Sequence, residues 1–326
     1  MIIGVTGANG HIGFSVCQTL VEHHYNVLGF VRQTTPYLED LGISLFIGNL
    51  NNENDLEGFV KSCNVIIHAA GKIDLAYKFS QELYEINVKA TERLLNFALQ
   101  YKIEKFIHFS SIQAFLQNKI HKTIDENSPF CSDKALYYDQ TKRDGFLMVL
   151  EAAHLGLNVI ILCPTAVIGV PDYKISKIGK SVIEIYNKVF PAVVNGGFNF
   201  VDVRDVAQAA VKALESPKSG EVYILGGKYY SLNKFSEIIL HEKGETKGLK
   251  SIPILYAYWG LPIVKFLAWL FKKKPIYDST YLDILNTGNK NISHQKASHD
   301  LDYHPRPLEE TLHDMVVWLK KTEMIK

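Results

Sequence analysis

A tyrosine and a lysine four residues apart are the clearest chemical feature of this sequence. Tyr138 and Lys142 lie in the stretch 137–142, which reads YYDQTK. In a helix four residues advance by about 400°, so the two side chains would share one face. A lysine ammonium near a phenol favours the phenolate and lowers the tyrosine pKa, which would suit Tyr138 as a general acid or base. Tyr137 is five residues from Lys142 and would point elsewhere.

Two serines are placed to join this pair. Ser110 and Ser111 follow a predicted strand, Lys105–Phe109, at the carboxyl end where the catalytic groups of parallel sheets collect. A hydroxyl there could hydrogen-bond a substrate carbonyl and align it beside Tyr138. Two serines in a loop are common, but the Tyr-Lys pair that begins 27 residues after Ser111 favours a catalytic role.

A glycine-rich turn near the N-terminus predicts a dinucleotide site. Gly7, Gly10 and Gly13 follow a predicted strand, Ile2–Thr6, and precede a helical pattern. Gly7 permits the tight turn, Gly10 lets backbone amides approach a pyrophosphate, and Gly13 allows the helix to pack closely on the sheet. Glycines also punctuate ordinary loops, but strand, turn and helix agree here. Together with the Tyr-Lys pair, the turn predicts a dinucleotide-dependent redox enzyme.

Arg32 bears on the choice of cofactor. Enzymes that prefer NAD usually carry an acidic residue at the end of the second strand, but this chain reads GFVR over residues 29–32. A guanidinium there could pair with the 2′-phosphate of NADP, so we expect NADP(H) to be preferred and NAD(H) to be the alternative cofactor. The competing interpretation is a solvated surface arginine. Asn49, after the third predicted strand, would contact the adenine edge or form a turn.

Composition excludes some classes of partner. The chain has 326 residues, with 35 Lys+Arg against 34 Asp+Glu and a net charge of +1, so nothing drives general binding to nucleic acid. A small-molecule ligand is the natural interpretation. The four cysteines are scattered, which suits packed thiols in a reducing compartment, and no metal site is expected. Because the first predicted strand begins at Ile2 with no signal peptide before it, we expect a cytoplasmic protein.

The first half alternates short β-branched runs with longer helical patterns. Such a βαβ series predicts an α/β fold with a Rossmann-type, doubly wound parallel sheet. We expect a dinucleotide-binding domain over residues 1–170, with returns near 200–225, and a smaller mixed α/β substrate lobe over 171–326, with the chemistry in the cleft between them. The strands are predicted at Ile2–Thr6, Asn26–Val31, Ser44–Ile47, Val65–His68, Lys105–Phe109, Asn158–Leu162 and Glu221–Leu225.

The second half contains a long apolar segment. Ile252–Phe271 is largely apolar and is followed by Lys272-Lys273-Lys274, the pattern of a membrane anchor with a basic flank. Two prolines and Lys265 interrupt it. We therefore expect a helix pair that covers the substrate pocket or an apolar partner surface. Peripheral membrane contact is the less favoured alternative.

Several short motifs occur in an order and spacing that resemble the extended short-chain dehydrogenases/reductases, the NAD-dependent epimerase/dehydratase superfamily. The resemblance runs nearly from end to end. The motifs are Thr6–Gly13 (TGANGHIG), His68–Ala70 (HAA), Asn87–Thr91 (NVKAT), Cys163–Gly169 (CPTAVIG) and Phe200–Ala207 (FVDVRDVA).

The resemblance implies a catalytic triad of Ser111, Tyr138 and Lys142. Ser111 matches better than Ser110 because it stands four residues before Phe115, where relatives often carry an aromatic residue. A homodimer on the helices predicted over 81–100 and 136–154 is also implied. The residues expected to bind the cofactor are Gly7, Asn9, Gly10, His11, Ile12, Gly13, Arg32, Asn49, Leu50, Ala69, Ala70, Gly71, Ser110, Tyr138, Lys142, Pro164, Thr165 and Val167.

The sequence departs from the nucleotide-sugar branch of that superfamily. Residues 111–115 read SIQAF and lack the Val-Tyr-Gly of many such enzymes; with Arg32 and the apolar segment, this resembles the dihydroflavonol reductase and hydroxysteroid dehydrogenase branch. We therefore expect reduction of an apolar ketone or aldehyde, or oxidation of the alcohol. One alternative is a nucleotide-sugar epimerase or dehydratase, with Lys174, Lys177 and Lys180 available to a diphosphate. The other is a non-catalytic dinucleotide-binding protein.

Overall fold

The computed structural model describes residues 1–75, 77–117, 122–216, 218–270 and 277–326, apart from the side chains of residues 263, 267–269 and 287. Its centre is a seven-stranded sheet. The strands are β1 Ile2–Thr6, β2 Asn26–Val31, β3 Ser44–Ile47, β4 Val65–His68, β5 Lys105–Phe109, β6 Val159–Pro164 and β10 Glu221–Leu225. All pair in parallel, in the order β10-β6-β5-β4-β1-β2-β3.

This arrangement confirms the predicted α/β, Rossmann-type fold. Six strands have the predicted bounds, and the strand predicted at Asn158–Leu162 runs from Val159 to Pro164. From β1 the sheet extends to one side through β2 and β3, and from β4 it extends to the other side. This change in strand order between β1 and β4 leaves a crevice at the carboxyl ends of the strands. Strands β4 and β5 are buried along their whole length, as expected for a parallel sheet covered on both faces.

Helices cover both faces of the sheet. On one face Val5, Leu20 and Val206 belong to a fully buried cluster, and on the other Phe59 and Val149 belong to a second cluster. Each layer of helices therefore packs its own hydrophobic core against one face of the sheet. The helices involved are α1 His11–Glu22, α2 Pro36–Asp40, α3 Glu53–Lys61, α4 Gln81–Tyr84, α5 Ala90–Gln100, α6 Tyr137–His154 and α8 Val203–Glu215.

A π-helical segment, Glu85–Lys89, joins α4 to α5. The helix predicted over 81–100 therefore exists, but its middle turn is wider than an α-helical turn. Short π-helical segments of this kind are frequent at functional sites. Asn87 lies in this segment and is buried.

The remaining strands form two small ladders outside the main sheet. One has the order β11-β9-β7 and the other pairs β12 with β8. A third buried cluster, which includes Phe235 and Met315, packs the nearby helices together. The predicted boundary near residue 170 stays a prediction. The strands are β7 Ala166–Ile168, β8 Ala192–Val194, β9 Gly197–Asp202, β11 Lys228–Ser231 and β12 Lys250–Ile252, and the helices are α7 Lys177–Tyr186, α9 Leu232–His241, α10 Ile254–Leu270, α11 Ser279–Thr287, α12 Gln295–Leu301 and α13 Leu308–Lys321.

The apolar segment forms α10, whose inner side packs in a fourth cluster. Ile254, Ala257 and Leu261 lie against Leu282 and Leu285 of α11. The segment therefore forms one helix that continues through Pro262 and pairs with α11, which lies beyond it, so the prediction of a helix pair within the segment is wrong. Phe271 and Lys272–Lys274, which end the predicted segment and form its basic flank, lie outside the described residues. Within the described ranges, none of the helices has both the length and the apolar character that crossing a bilayer requires.

Candidate active site

The glycine-rich turn has the geometry that a pyrophosphate requires. Gly7 has φ +72°, and a Cβ atom there would lie 2.8 Å from the Cα of Ala70. A Cβ at Gly13 would lie 2.1 Å from the carbonyl oxygen of Gly7. Helix α1 begins at His11, and its N-cap residue, Gly10, supplies no side-chain hydrogen bond. The first amides of α1 therefore remain available to an anionic group, and the turn fits a dinucleotide.

The loop after β2 is tied to this turn. Asn9 donates a hydrogen bond from Nδ2 to the carbonyl of Gln33 at 2.9 Å, and Thr35 donates from Oγ1 to Asn9 Oδ1 at 2.8 Å. These bonds fix the backbone next to Arg32, whose side chain is exposed. Arg32 thus stands beside the nucleotide turn, as the sequence predicts, and its contact with a 2′-phosphate stays a prediction.

Lys174 is a second cation in this region that the cofactor prediction did not include. Partial burial lowers its pKa, and the nearby charge of Arg32 lowers it further. No acidic side chain in the described part of the chain forms an ion pair with either cation. Two uncompensated positive charges attract an anion. Lys174 also borders a small pocket lined by Asn9, Gly10, His11, Phe14, Tyr37, Pro171 and Tyr173.

Asn49 forms the turn that was the alternative to an adenine contact. The backbone N–H of Asn51 donates to Asn49 Oδ1 at 3.1 Å, and the N–H of Asn49 donates to Asp55 Oδ2 at 2.8 Å. The side chain of Asn49 is exposed and Leu50 is half-buried. The side-chain oxygen is therefore engaged in the turn, while adenine binding by Asn49 and Leu50 stays a prediction.

The three residues of the predicted triad converge at the carboxyl end of β5. Ser111, Tyr138 and Lys142 are each 8% exposed. The hydroxyl of Ser111 hydrogen-bonds the Tyr138 phenol. Ser111 Oγ also accepts the N–H of Gln113 at 3.2 Å, which holds the serine at the start of a short 3-10 turn. The first turn of α6 thus places the phenol against a serine hydroxyl that the following backbone orients.

The prediction that Lys142 lowers the pKa of Tyr138 is wrong. The ammonium of Lys142 donates a hydrogen bond from Nζ to the carbonyl of Phe109 at 2.8 Å. Burial raises the pKa of Tyr138 to about 12, and the group that opposes this rise is Ser111. Burial also lowers the pKa of Lys142 to about 8. Desolvation outweighs the charge interaction that the four-residue spacing suggested.

The loop after β6 contains an unsatisfied polar atom that fits a bound cofactor. Thr165 follows Pro164, and its buried Oγ1 has no hydrogen-bond partner among the residues described. Buried hydroxyls are normally hydrogen-bonded, so this one indicates a missing ligand or water. Val167 lies two residues further on in β7. Ser110 has a structural contact instead, because its Oγ donates to the carbonyl of Lys142 at 3.3 Å.

Asn87 is a site residue that sequence reasoning missed. Its Nδ2 donates to Thr141 Oγ1 at 3.1 Å, and Thr141 Oγ1 donates to the carbonyl of Tyr138 at 2.7 Å. Its Oδ1 accepts the N–H of Lys72 at 2.8 Å, next to Gly71. Asn87 therefore ties the loop after β4 to the turn of α6 that carries the tyrosine. The signal was present, since Asn87 opens the NVKAT motif.

A buried histidine extends this network to the nucleotide turn. His68 Nδ1 lies 2.7 Å from Thr6 Oγ1, and Nε2 lies 3.0 Å from Thr91 Oγ1. Thr91 donates its own proton to the carbonyl of Asn87 at 2.9 Å, so the network assigns the histidine proton to Nε2. Burial, aided by the charge of Lys142, lowers the His68 pKa to about 3, which keeps the ring neutral.

Aromatic residues link the loop before α4 to three helices. The ring of Phe79 lies 5.1 Å from that of Tyr137, the first residue of α6. Tyr77 and Tyr258 both donate hydrogen bonds to the carboxylate of Asp283, at 3.3 and 2.5 Å. These bonds join the loop before α4 to α10 and α11. The apolar segment is thus connected to the loop before α4, and its role at a substrate pocket stays a prediction.

Comparisons with known proteins identify the family. Residues 3–226 match the model of the NAD dependent epimerase/dehydratase family. The chain belongs to this family. It is 28% identical to a putative dihydroflavonol 4-reductase of Synechocystis, over 99% of this chain and 95% of that protein. It is 24% identical to sterol demethylase protein B of Methylococcus capsulatus, over 98% and 99% of the two chains.

Solved structures agree with the fold. The crystal structure of gox2253 has a TM-score of 0.85 and 26% identity, and the alignment covers 100% of this chain and 99% of that one. A UDP-glucose 4-epimerase from Thermotoga maritima, with UDP-glucose, has a TM-score of 0.78 over 99% and 100% of the chains, but at 19% identity it supports the fold alone. The predicted resemblance is confirmed. The protein is an oxidoreductase of a nicotinamide-dinucleotide-dependent family whose members include reductases and epimerases.

Lys142→Met should stabilise the protein while it removes a triad residue. The unfolded chain holds a proton on Lys142 up to about pH 10.5, whereas the folded chain releases it near pH 8, so the free energy of unfolding attributable to this residue rises with pH across that window. At neutral pH the variant should be more stable by about 2 kcal/mol, because the pKa shift outweighs the lost hydrogen bond to Phe109.

Denaturant unfolding over this pH window measures the effect. The difference between Lys142→Met and the wild type should shrink as the pH rises. Lys134→Met, at an exposed lysine near the same helix, is the matched control and should follow the wild type at every pH. A Lys142→Met protein with the same pH dependence as the wild type would show that the ammonium is not desolvated.

Proposed function

We propose that the protein is an NADP(H)-dependent carbonyl reductase that acts on a ketone or aldehyde with a sizeable apolar body. The observation that carries this proposal is the Tyr138 phenol, which is buried and hydrogen-bonded by Ser111. Because burial raises the pKa of Tyr138 to about 12, the phenol keeps its proton throughout the physiological range. A protonated acid suits reduction, in which the carbonyl oxygen must gain a proton.

Each triad residue has a separate part in this reaction. When bound, a nicotinamide supplies the hydride for reduction or accepts it in alcohol oxidation. Tyr138 gives its proton to the substrate oxygen, and Ser111 donates a hydrogen bond to the same oxygen as negative charge builds on it. Lys142 is held by the carbonyl of Phe109, and its ammonium lies beside Gly71. There it would bind the nicotinamide ribose and would stabilise the phenolate of Tyr138 after the proton has been transferred.

The surroundings of Tyr138 support an apolar substrate. Phe79 packs on the ring of Tyr137, the residue before Tyr138, and Ile73 is exposed in the same loop. Rings and aliphatic side chains bind apolar surface without the charged contacts that a sugar diphosphate requires. The relatives point the same way, since they include a ketoreductase for a farnesylated quinoline oxide in Stigmatella aurantiaca, 26% identical over 76% of this chain and 73% of that protein.

A nucleotide-sugar epimerase is the competing function. One relative is a putative UDP-glucose 4-epimerase of Methanocaldococcus jannaschii, 27% identical over 74% of this chain and 83% of that protein. The three lysines available to a substrate diphosphate do not support this reading. Lys174 lies on the nucleotide side with Arg32, and Lys180 pairs with Glu184 at 3.6 Å. Lys177 is exposed at the start of α7.

A screen of carbonyl compounds tests the function. Purified protein is incubated with NADPH and a panel that runs from short aldehydes to aryl ketones and 3-oxosteroids, and oxidation of the nicotinamide is followed by its absorbance. We expect turnover that increases with the apolar area of the substrate. Turnover of UDP-glucose without net change in the nicotinamide, by protein that retains its cofactor through purification, would instead support an epimerase. The homodimer and the cytoplasmic location stay predictions.

Tyr138→Phe should abolish most turnover, because it removes the transferable proton and leaves the ring to pack. The kcat should fall by at least ~10²-fold, as for other lost general acids, while the Kd for NADPH changes little. Tyr137→Phe is the matched control, since its ring packs on Phe79 and it should keep near wild-type turnover. Equal turnover by the two variants, measured with the best substrate of the screen, would remove Tyr138 from the acid role.

Arg32 and Lys174 should both contribute to the preference for NADPH. Each cation would attract the 2′-phosphate, which NADH lacks, so Arg32→Gln and Lys174→Gln should each raise the Kd for NADPH by about tenfold at low salt and leave that for NADH unchanged. Salt should reduce the effect most for Arg32, whose side chain is exposed. Arg32→Asp should reverse the preference.

Lys177→Gln is the control for this series, because Lys177 is an exposed lysine three residues after Lys174. Cofactor titrations followed by tryptophan fluorescence give the Kd values. If the wild type bound NADPH and NADH with equal Kd values, and Arg32→Asp did the same, Arg32 would be a surface arginine with no part in cofactor selection. A loss in Lys177→Gln equal to that in Lys174→Gln would mean that net charge, rather than position, governs binding.

A further inference from the structure

The carboxylate of Asp139 is buried without a partner. Asp139 directly follows the candidate proton donor, Tyr138, in the first turn of α6 and is 8% exposed. Within the described part of the chain, its carboxylate oxygens accept no hydrogen bond and form no ion pair. Buried carboxylates are almost always paired, because removing the charge from water is unfavourable. Asp139 is therefore an exception that needs an explanation.

Arg143 is the expected partner of Asp139, but it is engaged elsewhere. It stands one helical turn after Asp139, at the spacing where an aspartate and an arginine usually pair. Its guanidinium instead forms ion pairs with Asp133 at 2.7 Å and Asp144 at 2.8 Å, and it donates to the carbonyl of Cys131 at 3.0 Å. The cation that the helix offers is thus used by the loop before α6 and by its own neighbour.

A charge at the helix N-terminus does not account for the burial. The first turn of a helix favours acidic residues, and Asp139 is the acidic residue in the first turn of α6. An exposed aspartate would serve the helix equally well and would keep its water. Burial instead raises the pKa of Asp139 to about 7, which weakens the charge that a helix terminus would use. A buried carboxylate here therefore indicates a group from outside the chain.

The groups that respond to Asp139 place it beside the reacting centre. Burial raises the pKa of the Tyr138 phenol, and the charge of Asp139 raises it further. Burial is also the main cause that raises the pKa values of Tyr77, in the loop after β4, and Cys131, in the loop before α6, and the charge of Asp139 adds to both. Asp139 is thus within electrostatic range of the triad phenol and of both loops.

We propose that Asp139 is a specificity-determining residue that accepts a hydrogen bond from the substrate, and that the apolar body of the substrate therefore carries a hydroxyl or a protonated amine. The inference rests on the proposed reductase function for the position of the substrate carbonyl at Tyr138. A bound donor would supply the partner that the described chain lacks, and hydrogen bonds to a charged group are stronger than neutral ones. The same carboxylate repels phosphate, so it disfavours a nucleotide sugar.

Equilibrium binding of matched ketones to the full chain tests the proposal. The probes are 1-tetralone and its derivatives with a hydroxyl or an aminomethyl group at successive ring positions. Calorimetric titrations are made with saturating NADP⁺, which cannot reduce a ketone, so binding is measured without turnover. We expect at least one donor-bearing derivative to bind about tenfold more tightly than 1-tetralone, and its donor group shows whether Asp139 selects a hydroxyl or an ammonium.

Two substitutions of Asp139 separate its charge from its shape. Asp139→Leu removes the acceptor, so the tenfold advantage of the donor-bearing ketone should disappear. Asp139→Asn keeps the shape and a neutral oxygen, so an ammonium should lose its advantage and a hydroxyl should keep part of it. Binding of NADP⁺ and of 1-tetralone should change little in both variants, which reports correct folding. The control is Asp133→Leu, at a carboxylate that is 87% exposed, and it should keep the advantage.

Denaturant unfolding tests the unpaired carboxylate without any ligand. The unfolded chain releases the Asp139 proton near pH 3.8 and the folded chain near pH 7, so the free energy of unfolding attributable to this residue falls as the pH rises across that window. The stability of Asp139→Asn relative to the wild type should therefore grow over the same window. The neighbouring Cys131 and Tyr138 do not titrate there, because burial raises their pKa values to about 11 and about 12, and Arg143 stays charged.

Three results would overturn the proposal: equal binding of 1-tetralone and all its donor-bearing derivatives by the wild type, an advantage that survives in Asp139→Leu, or a pH dependence of stability that Asp139→Asn leaves unchanged. Any of these together with turnover in the carbonyl screen would leave the reductase function and remove only the role of Asp139. A donor preference that depends on Asp139, found without turnover of any carbonyl compound, would keep the donor site and remove the reductase function. The two proposals therefore fail separately.

Discussion

The burial of the Lys142 ammonium is the constraint on which the rest of the site depends. A cation removed from water is unfavourable unless polar groups surround it, and here the carbonyl of Phe109 accepts its hydrogen bond. That carbonyl is available because β5 ends at this point, and the reversal of strand order between β1 and β4 leaves a crevice beside it. The lowered pKa of Lys142 and the raised pKa of Tyr138 have this one cause, a dry position at the edge of the sheet.

A continuous set of hydrogen bonds connects the cofactor turn to the proton donor. It begins at Thr6, next to Gly7, passes through His68 and Thr91 to the backbone of Asn87, and continues from the Asn87 side chain through Thr141 to the carbonyl of Tyr138. Asn87 lies in the π-helical segment, a feature that is frequent at functional sites. Because the histidine stays neutral, the network keeps one proton arrangement at physiological pH. These hydrogen bonds therefore fix the position of the cofactor turn relative to the backbone of Tyr138.

The strands and the triad could be predicted from the sequence because their signals are local. Runs of β-branched residues predict strands such as Val65–His68 almost to the residue. Residues four apart, such as Tyr138 and Lys142, lie on the same face of any α-helix. The π-helical segment could not be predicted, since its residues keep an ordinary helical pattern. The partner of Lys142 lies 33 residues away in sequence, and Lys174 meets Arg32 only after the chain has folded. Burial decides the pKa values, and burial is a property of tertiary structure.

Helix α10 shows why composition is a weak guide to the surroundings of an apolar segment. The sequence leaves such a helix ambiguous because a helix apolar on both sides has the same composition as a buried one. Only the structure separates the side that packs from the side that remains to be covered.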